Sequence, residues 1–223
     1  GSGIDLNKVC DVIRRYDPDI VALNEVRGRG IHSEYTAQAE EMAAILGYHC
    51  FFGRSLYVGG QNPYGNAVLS KYPITDAEIM KIPNPVSETV EQRSISRCVI
   101  EILADGNVIP FAIYSTHFGL TEAEHEHATA TLLIQLESET IPFALMGDFN
   151  MTPEDPLLAR VNQMLNGTDS LLSEKFSFPS DRPRQKIDYI YVSKGIEVIC
   201  AEIPQIVASD HCPVYADIRL SAM

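Results

Sequence analysis

The chain has no tryptophan among its 223 residues. A stacking platform for single-stranded nucleic acid would therefore have no indole to draw on. Basic residues are also scarce: 17 Lys and Arg face 30 Asp and Glu, leaving a formal net charge of −13. Long nucleic acid is held through Lys and Arg contacts to phosphate, so this balance disfavours it as a partner without excluding it, because bound cations offset acidic residues locally. No run of about eighteen apolar residues occurs, so no membrane-spanning helix is expected. No secretory signal is visible, since Gly1-Ser2-Gly3 leads straight into an amphipathic segment, although a removed leader would leave no trace. No C-x-x-C pair occurs among Cys10, Cys50, Cys98, Cys200 and Cys212. An odd set of cysteines beside apolar residues reads as buried free thiols, which favours a reducing, cytoplasmic compartment over a secreted one.

What is present fits an α/β protein. The hydrophobic fraction is 45%, ordinary for a globular chain, and no repeat or low-complexity linker divides it, so residues 1–223 read as one domain acting as a monomer. Helical spacing marks residues 4–16, with Asp5 as a cap, and residues 34–46, ended by Gly47. Between them Ile20-Val21-Ala22-Leu23 is a short apolar run of the kind buried on both faces. Strands are predicted at 48–53, 67–70, 143–146, 187–192, 197–201 and 214–218, with Lys71-Tyr72-Pro73-Ile74 as a break. A hairpin of 96–103 and 108–115 turns at Asp105-Gly106-Asn107. Residues 121–139 form a helix in which Thr121 and Glu124 have capping-box spacing, and 156–165 form a shorter one. This mixture predicts two packed sheets with helices outside.

Five polar groups stand at strand ends. In Gly147-Asp148-Phe149-Asn150, Asp148 and Asn150 are two apart, which in extended backbone puts both on one face with oxygens suited to a hard cation and a phosphoryl group. Taken alone, such a pair is more often a turn or cap. Ser209-Asp210-His211 offers a carboxylate for metal beside an imidazole for proton transfer. Asp188 lies in the apolar run Ile187-Asp188-Tyr189-Ile190, where it needs a partner; orienting a histidine would supply one. Glu25 and His117 close two further strands. His125 and His127 sit on a Glu-rich helix and read as solvated.

In order and approximate spacing, Asp19-Ile20-Val21-Ala22-Leu23-Asn24-Glu25-Val26, Tyr64-Gly65-Asn66-Ala67-Val68-Leu69-Ser70, Thr116-His117, Gly147-Asp148-Phe149-Asn150, Ile187-Asp188-Tyr189-Ile190 and Ser209-Asp210-His211-Cys212-Pro213 resemble the endonuclease/exonuclease/phosphatase superfamily of DNase I-like enzymes. The spelling is most similar to compact bacterial members and the sphingomyelinase-like branch. The resemblance implies a four-layer α/β/β/α sandwich of two packed mixed sheets. It implies Glu25 and Asp210 as metal carboxylates for Mg²⁺ or Mn²⁺, and Asp148 and Asn150 as the pair that orients the nucleophile and holds phosphoryl oxygens. His211, oriented by Asp188, takes the place of the general base or transition-state donor, and His117 that of the second, phosphate-contacting histidine. Asn66 takes the place of a substrate-side amide. Arg93 is either a phosphate contact or a surface arginine; Arg184, with Arg182, lies in a Pro-rich loop placed to line the substrate groove.

The implied activity is metal-dependent hydrolysis of phosphodiesters or phosphomonoesters, of small or lipid-derived substrates. A nuclease is the alternative within that class, and a non-catalytic binding member of the fold the alternative outside it. The sequence departs from the family in three places. The family's first strand, which carries a metal-binding Asn, has no counterpart before the first helix and is expected in the intact protein. No acidic residue between Gly53 and Asn66 stands ready to orient His117. Asn24 stands where many members have Gln.

Overall fold

The computed structural model describes residues 5–86, 89–104, 106–172 and 175–220. The elements in chain order are α1 (Leu6–Tyr16), β1 (Ile20–Arg27), α2 (Gln38–Leu46), β2 (His49–Val58), β3 (Asn62–Ser70), β4 (Ile74–Lys81), β5 (Ser94–Ala104) and β6 (Asn107–His117). They continue with α3 (Glu122–Ser138), β7 (Phe143–Asp148), α4 (Pro156–Met164), β8 (Asn166–Gly167), α5 (Asp169–Leu172), β9 (Asp188–Val192), β10 (Glu197–Glu202) and β11 (Tyr215–Arg219).

The helix ends follow from their caps. Asp5 accepts from the Asn7 amide at 3.1 Å, and Asp17 closes α1 in the left-handed region. In α3 the capping box is complete: Thr121 Oγ1 accepts from Glu124 N at 3.3 Å, while Glu124 Oε2 accepts from Thr121 N at 3.1 Å and Leu120 N at 2.9 Å. The helix expected over 34–46 begins only at Gln38, whose side-chain Oε1 instead accepts from Arg27 N at 2.8 Å.

Three strands form one antiparallel sheet in the order β1-β3-β2, six form a second in the order β4-β5-β6-β7-β9-β8, and β10 pairs with β11 as a separate ribbon. Only the six-stranded sheet is mixed among the described residues, because β6 and β7 run parallel across the α3 connection. Among those residues no strand precedes α1, and β1 and β11 each pair along one edge. The β5–β6 hairpin joins Ala104 to Asn107 with Gly106 at φ 79; Asp105 of the expected turn lies outside the described residues. β4 was not expected: Pro73 reads as a break, and an edge strand exposed along much of its length has little apolar alternation.

Three apolar layers hold these parts as an α/β/β/α sandwich. Between the sheets, Val68 and Phe51 meet Cys98, Ile100, Phe111, Ile113 and Val192. On the outer face of the larger sheet, Tyr114, Leu145, Tyr189 and Tyr191 pack against Leu132 and Leu136 of α3 and Leu158 and Val161 of α4. Cys10, Ile13, Met42 and Ala43 of α1 and α2 cover Leu69 of the smaller sheet. All five cysteines are free thiols, with Cys10, Cys98 and Cys212 buried. Contrary to the sequence reading, His125 is buried, its Nε2 at 2.9 Å from Gly119 O, because it shares the inward face of α3 with Ala128, Thr129 and Leu132. His127 is half-buried, its Nδ1 at 2.9 Å from Pro83 O.

One charged group ties α3's end to the sheet. Glu139 Oε2 accepts from Arg97 Nε at 2.7 Å and from Tyr114 hydroxyl at 2.8 Å, and its side chain is 4% exposed. Burial opposes the charge, but these bonds and the Thr140 and Ile141 amides win and hold the carboxyl at about 2, below its ordinary 4.5. A carboxyl lowered on folding adds stability above its unfolded pKa that is lost as pH falls. Glu139→Gln should therefore cost about 2 kcal/mol at pH 7. In denaturant titrations the gap to wild type should close as pH drops from 4.5 toward 2.

Candidate active site

The site forms where β6, β7 and β9 end together. The parallel register sets Thr116 beside Gly147 and His117 beside Asp148, while β9 sets Asp188 beside Asp148. Gly147 permits this spacing: a Cβ there would lie 1.9 Å from Thr116 O. The strand ends at Asp148, so the extended arrangement expected for Asp148 and Asn150 does not form. Asn150 turns into the left-handed region (φ 52), its amide donating to Asp148 Oδ1 at 2.7 Å and its Nδ2 to Phe118 O at 3.1 Å. An Asx turn competes successfully with the strand there, and Asn tolerates the conformation.

Two imidazoles converge on one carboxylate oxygen. His117 Nε2 stands 3.5 Å from Asp148 Oδ2, and His211 Nε2 stands 3.9 Å from the same atom. His211 Nδ1 lies 2.8 Å from Asp188 Oδ2, so it carries the proton that this carboxylate accepts. The Phe178 ring packs on His211 at a centroid distance of 4.7 Å, and the His211 loop is held by Cys212 N to Ser177 O (2.7 Å) and Ser180 N to Asp210 O (2.7 Å). His117 is fixed from its other side by Arg93 Nη1, 3.2 Å from Nδ1. Arginine only donates, so Nδ1 accepts and the proton of neutral His117 sits on Nε2, facing Asp148. This is the partner that sequence could not supply for His117: an arginine, not a carboxylate.

The two histidines are driven apart in protonation. Burial, then the positive charges of Arg93 and His211, lower His117 to about 3. Burial also opposes charge on His211, but the bond to Asp188 and the charges of Asp188, Asp148 and Asp210 raise it to about 9. Asp148 is held well above the usual carboxylate range by burial and by the nearby charges of Asp188 and Glu25. Asp148, Asp188 and His211 together present metal-type ligand atoms all within 4.8 Å of one another.

Glu25 arrives from the other sheet. It is exposed and has φ 59, where the β1–β3 register jumps between Leu23 and Val26, and the bulge re-aims its carboxylate. Burial, and then the charge of Glu25 beside it, raises the Tyr64 phenol. Asp210 is exposed and acts on the site through the field it places on His211. Arg93 is largely buried rather than a surface residue; its Nη2 meets Glu91 Oε2 at 3.3 Å, and its Nε has no hydrogen-bond partner among the described residues. Asn66 is buried, with its Oδ1 accepting from Asn24 Nδ2 at 3.0 Å. Arg182 and Arg184 are both exposed on the loop that carries Phe178.

Sequence reasoning assigns no role to Asn24 or Tyr64. Asn24 joins the sheets: Nδ2 also donates to Thr116 O at 2.8 Å, and Oδ1 accepts from Asp148 N at 3.1 Å. The available signal was an amide ending a buried apolar run, which must be satisfied by something.

A family model described as the endonuclease/exonuclease/phosphatase family matches residues 2–211. The uncharacterized protein YbhP of Escherichia coli is 28% identical over 236 aligned residues, covering 96% of this chain and 88% of that one. Among solved structures, an endonuclease/exonuclease/phosphatase from Beutenbergia cavernae superposes with a TM-score of 0.80 at 24% identity, over 98% of this chain and 67% of that chain. A mannosyl-6-phosphatase from Bacteroides thetaiotaomicron gives 0.79 at 15% identity, over 96% of this chain and 90% of that chain. At these identities the structures speak for the fold, and the family model for descent: the chain belongs to the endonuclease/exonuclease/phosphatase family.

Proposed function

We propose that this protein is a divalent-metal-dependent phosphoesterase that hydrolyses phosphodiester or phosphomonoester bonds of small or lipid-derived substrates. The observation that carries the reading is the convergence of His117 and His211 Nε2 on Asp148 Oδ2. A site for a phosphate ester needs donors aimed at the phosphoryl oxygens and a base beside the attacking water, and these three side chains offer both side by side.

The donor set fits a hard cation. Asp148 is raised in part by Asp188 and Glu25, so added positive charge would relieve it. Carboxylate and amide oxygens suit Mg²⁺ or Mn²⁺ better than zinc. Glu25 and Asp210 are the residues assigned to hold it; Asp188 is engaged with His211 and serves orientation. When bound, the cation offsets the negative charge of the phosphoryl group.

The chain's own residues do the rest. Asp148, with a carboxyl poised to accept a proton, orients the water and takes its proton; Asn150 fixes one oxygen of that carboxyl through its amide. His211, charged at neutral pH, donates from Nε2 to the phosphoryl group, and Asp188 keeps the ring in place. His117 donates from Nε2 while Arg93 holds its far nitrogen. The Arg93 guanidinium, buried Asn66 and exposed Arg184 are assigned to substrate oxygens. Net charge −13 and the absence of tryptophan favour a small ester over a long nucleic acid.

His211→Ala should lower turnover of a chromogenic phosphodiester in Mg²⁺ by about 10²–10⁴-fold, and chelation should abolish it. Activity that survives both would refute the mechanism. In metal-free buffer, histidine NMR titration should place His211 near 9 and His117 near 3, so neutral pH finds one charged and the other not. Arg93→Met should raise the His117 midpoint, and Asp188→Asn should lower that of His211. Because His211 is raised on folding, its pair with Asp188 adds stability below pH 6.5, and this is lost as pH climbs through 9.

A further inference from the structure

We infer that Asn24 is a positioning residue whose carboxamide sets the relation of Glu25, on one sheet, to Asp148, on the other. The inference rests on the reading above, in which Glu25 holds the cation and Asp148 acts on the water.

Asn24 uses its amide fully. Its two N–H groups go to Asn66 Oδ1 (3.0 Å) and Thr116 O (2.8 Å), and its oxygen takes the Asp148 N–H (3.1 Å). The amide orientation is fixed by its partners, since a carbonyl can only accept and a backbone N–H can only donate. Thr116 O belongs to the peptide that leads into His117, and Asp148 N belongs to the residue on which both histidines converge. One side chain therefore grips the backbone of both strands of the parallel pair at the site.

The same residue lies in the bulge itself, next to Glu25. Register holds at Leu23↔Ala67, then shifts before Val26↔Gly65, and Glu25 between them is left-handed at φ 59. A bulge aims a side chain but leaves the strand locally unpaired. Asn24 supplies the missing fixture inside the bulge, and anchors it to the opposite sheet as well as to its own. Apolar packing between the sheets, by Val68, Cys98 and Ile113 among others, cannot do this, because it is non-directional.

Another hydrogen bond between the sheets, linking Ser55 Oγ and Ser94 Oγ at 2.6 Å, provides the comparison. It is buried and touches neither carboxylate. The experiment measures four quantities on wild type, Asn24→Ala and Ser55→Ala: melting temperature, Mn²⁺ affinity by calorimetry, amide exchange at Asp148, and kcat and KM on a chromogenic phosphodiester in Mg²⁺. Asn24→Ala is expected to lower kcat and Mn²⁺ affinity each by about 10–100-fold, as for other residues that orient ligands from behind. KM should move less, and the Asp148 amide should exchange faster. Ser55→Ala should lose melting temperature but keep kcat and Mn²⁺ affinity close to wild type. Should Asn24→Ala not fold, Asn24→Ser, polar but too short to span both strands, is read the same way. Unchanged kcat and Mn²⁺ affinity in the Asn24 variant, or an equal loss in Ser55→Ala, overturns the inference. A wild type without hydrolysis would instead sink the phosphoesterase reading, and the Asp148 exchange and Mn²⁺ arms would still decide the role of Asn24.

Discussion

The parallel pairing of β6 with β7 is the constraint from which the rest of the site follows. It is the one parallel pair among the described strands, and it brings two strand ends to the same level, His117 against Asp148. The pairing demands close approach of Thr116 O to residue 147, which glycine alone accommodates. It also demands a long crossover, supplied by α3, whose capping box and buried Glu124 pin the loop that leaves His117. A Cβ at Gly119 would meet the Glu124 carboxylate that the capping box holds. Gly147 and a helix cap thus set where the first histidine stands.

From that arrangement comes the electrostatic asymmetry. Two histidines approach one oxygen but have different neighbours behind them. A guanidinium behind His117 and a carboxylate behind His211 assign the protons, one ring neutral and the other charged. Burial deepens the contrast for His117 and opposes it for His211, where the hydrogen bond to Asp188 decides the outcome. Paired titratable groups whose environments push them apart are how a site keeps distinct proton donors and acceptors at one pH. In the acidic cluster, burial and the charges of Asp188 and Glu25 raise Asp148, which is the setting in which a hard cation is favoured.

Much of the scaffold was legible because it depends on local signals. Asp5 and Thr121 announced helix starts, Gly106 the hairpin, and the apolar runs the central strands. β4 was not legible, since an exposed edge strand has no apolar period to read. His125 was misread because the Glu-rich composition around it hides which face of α3 turns inward. For Asp148 and Asn150 the sequence offers both an extended pair and a turn; Asn150 N donates to Asp148 Oδ1 and ends the strand early, and a pattern of spacing cannot report which of two local hydrogen bonds wins.

Sequence alone determined which chemical groups exist and in what order: the carboxylates, the two histidines, the amides, and an acidic chain without tryptophan. It did so because residue type and strand or helix period are local properties of the chain. Tertiary structure decided which groups meet. Arg93 behind His117, Tyr64 on Glu25 and Asn24 between the sheets are pairings made by register and by the packing of one sheet on another. The protonation of each histidine depends on those neighbours and on burial, which arise only when distant segments share one interior.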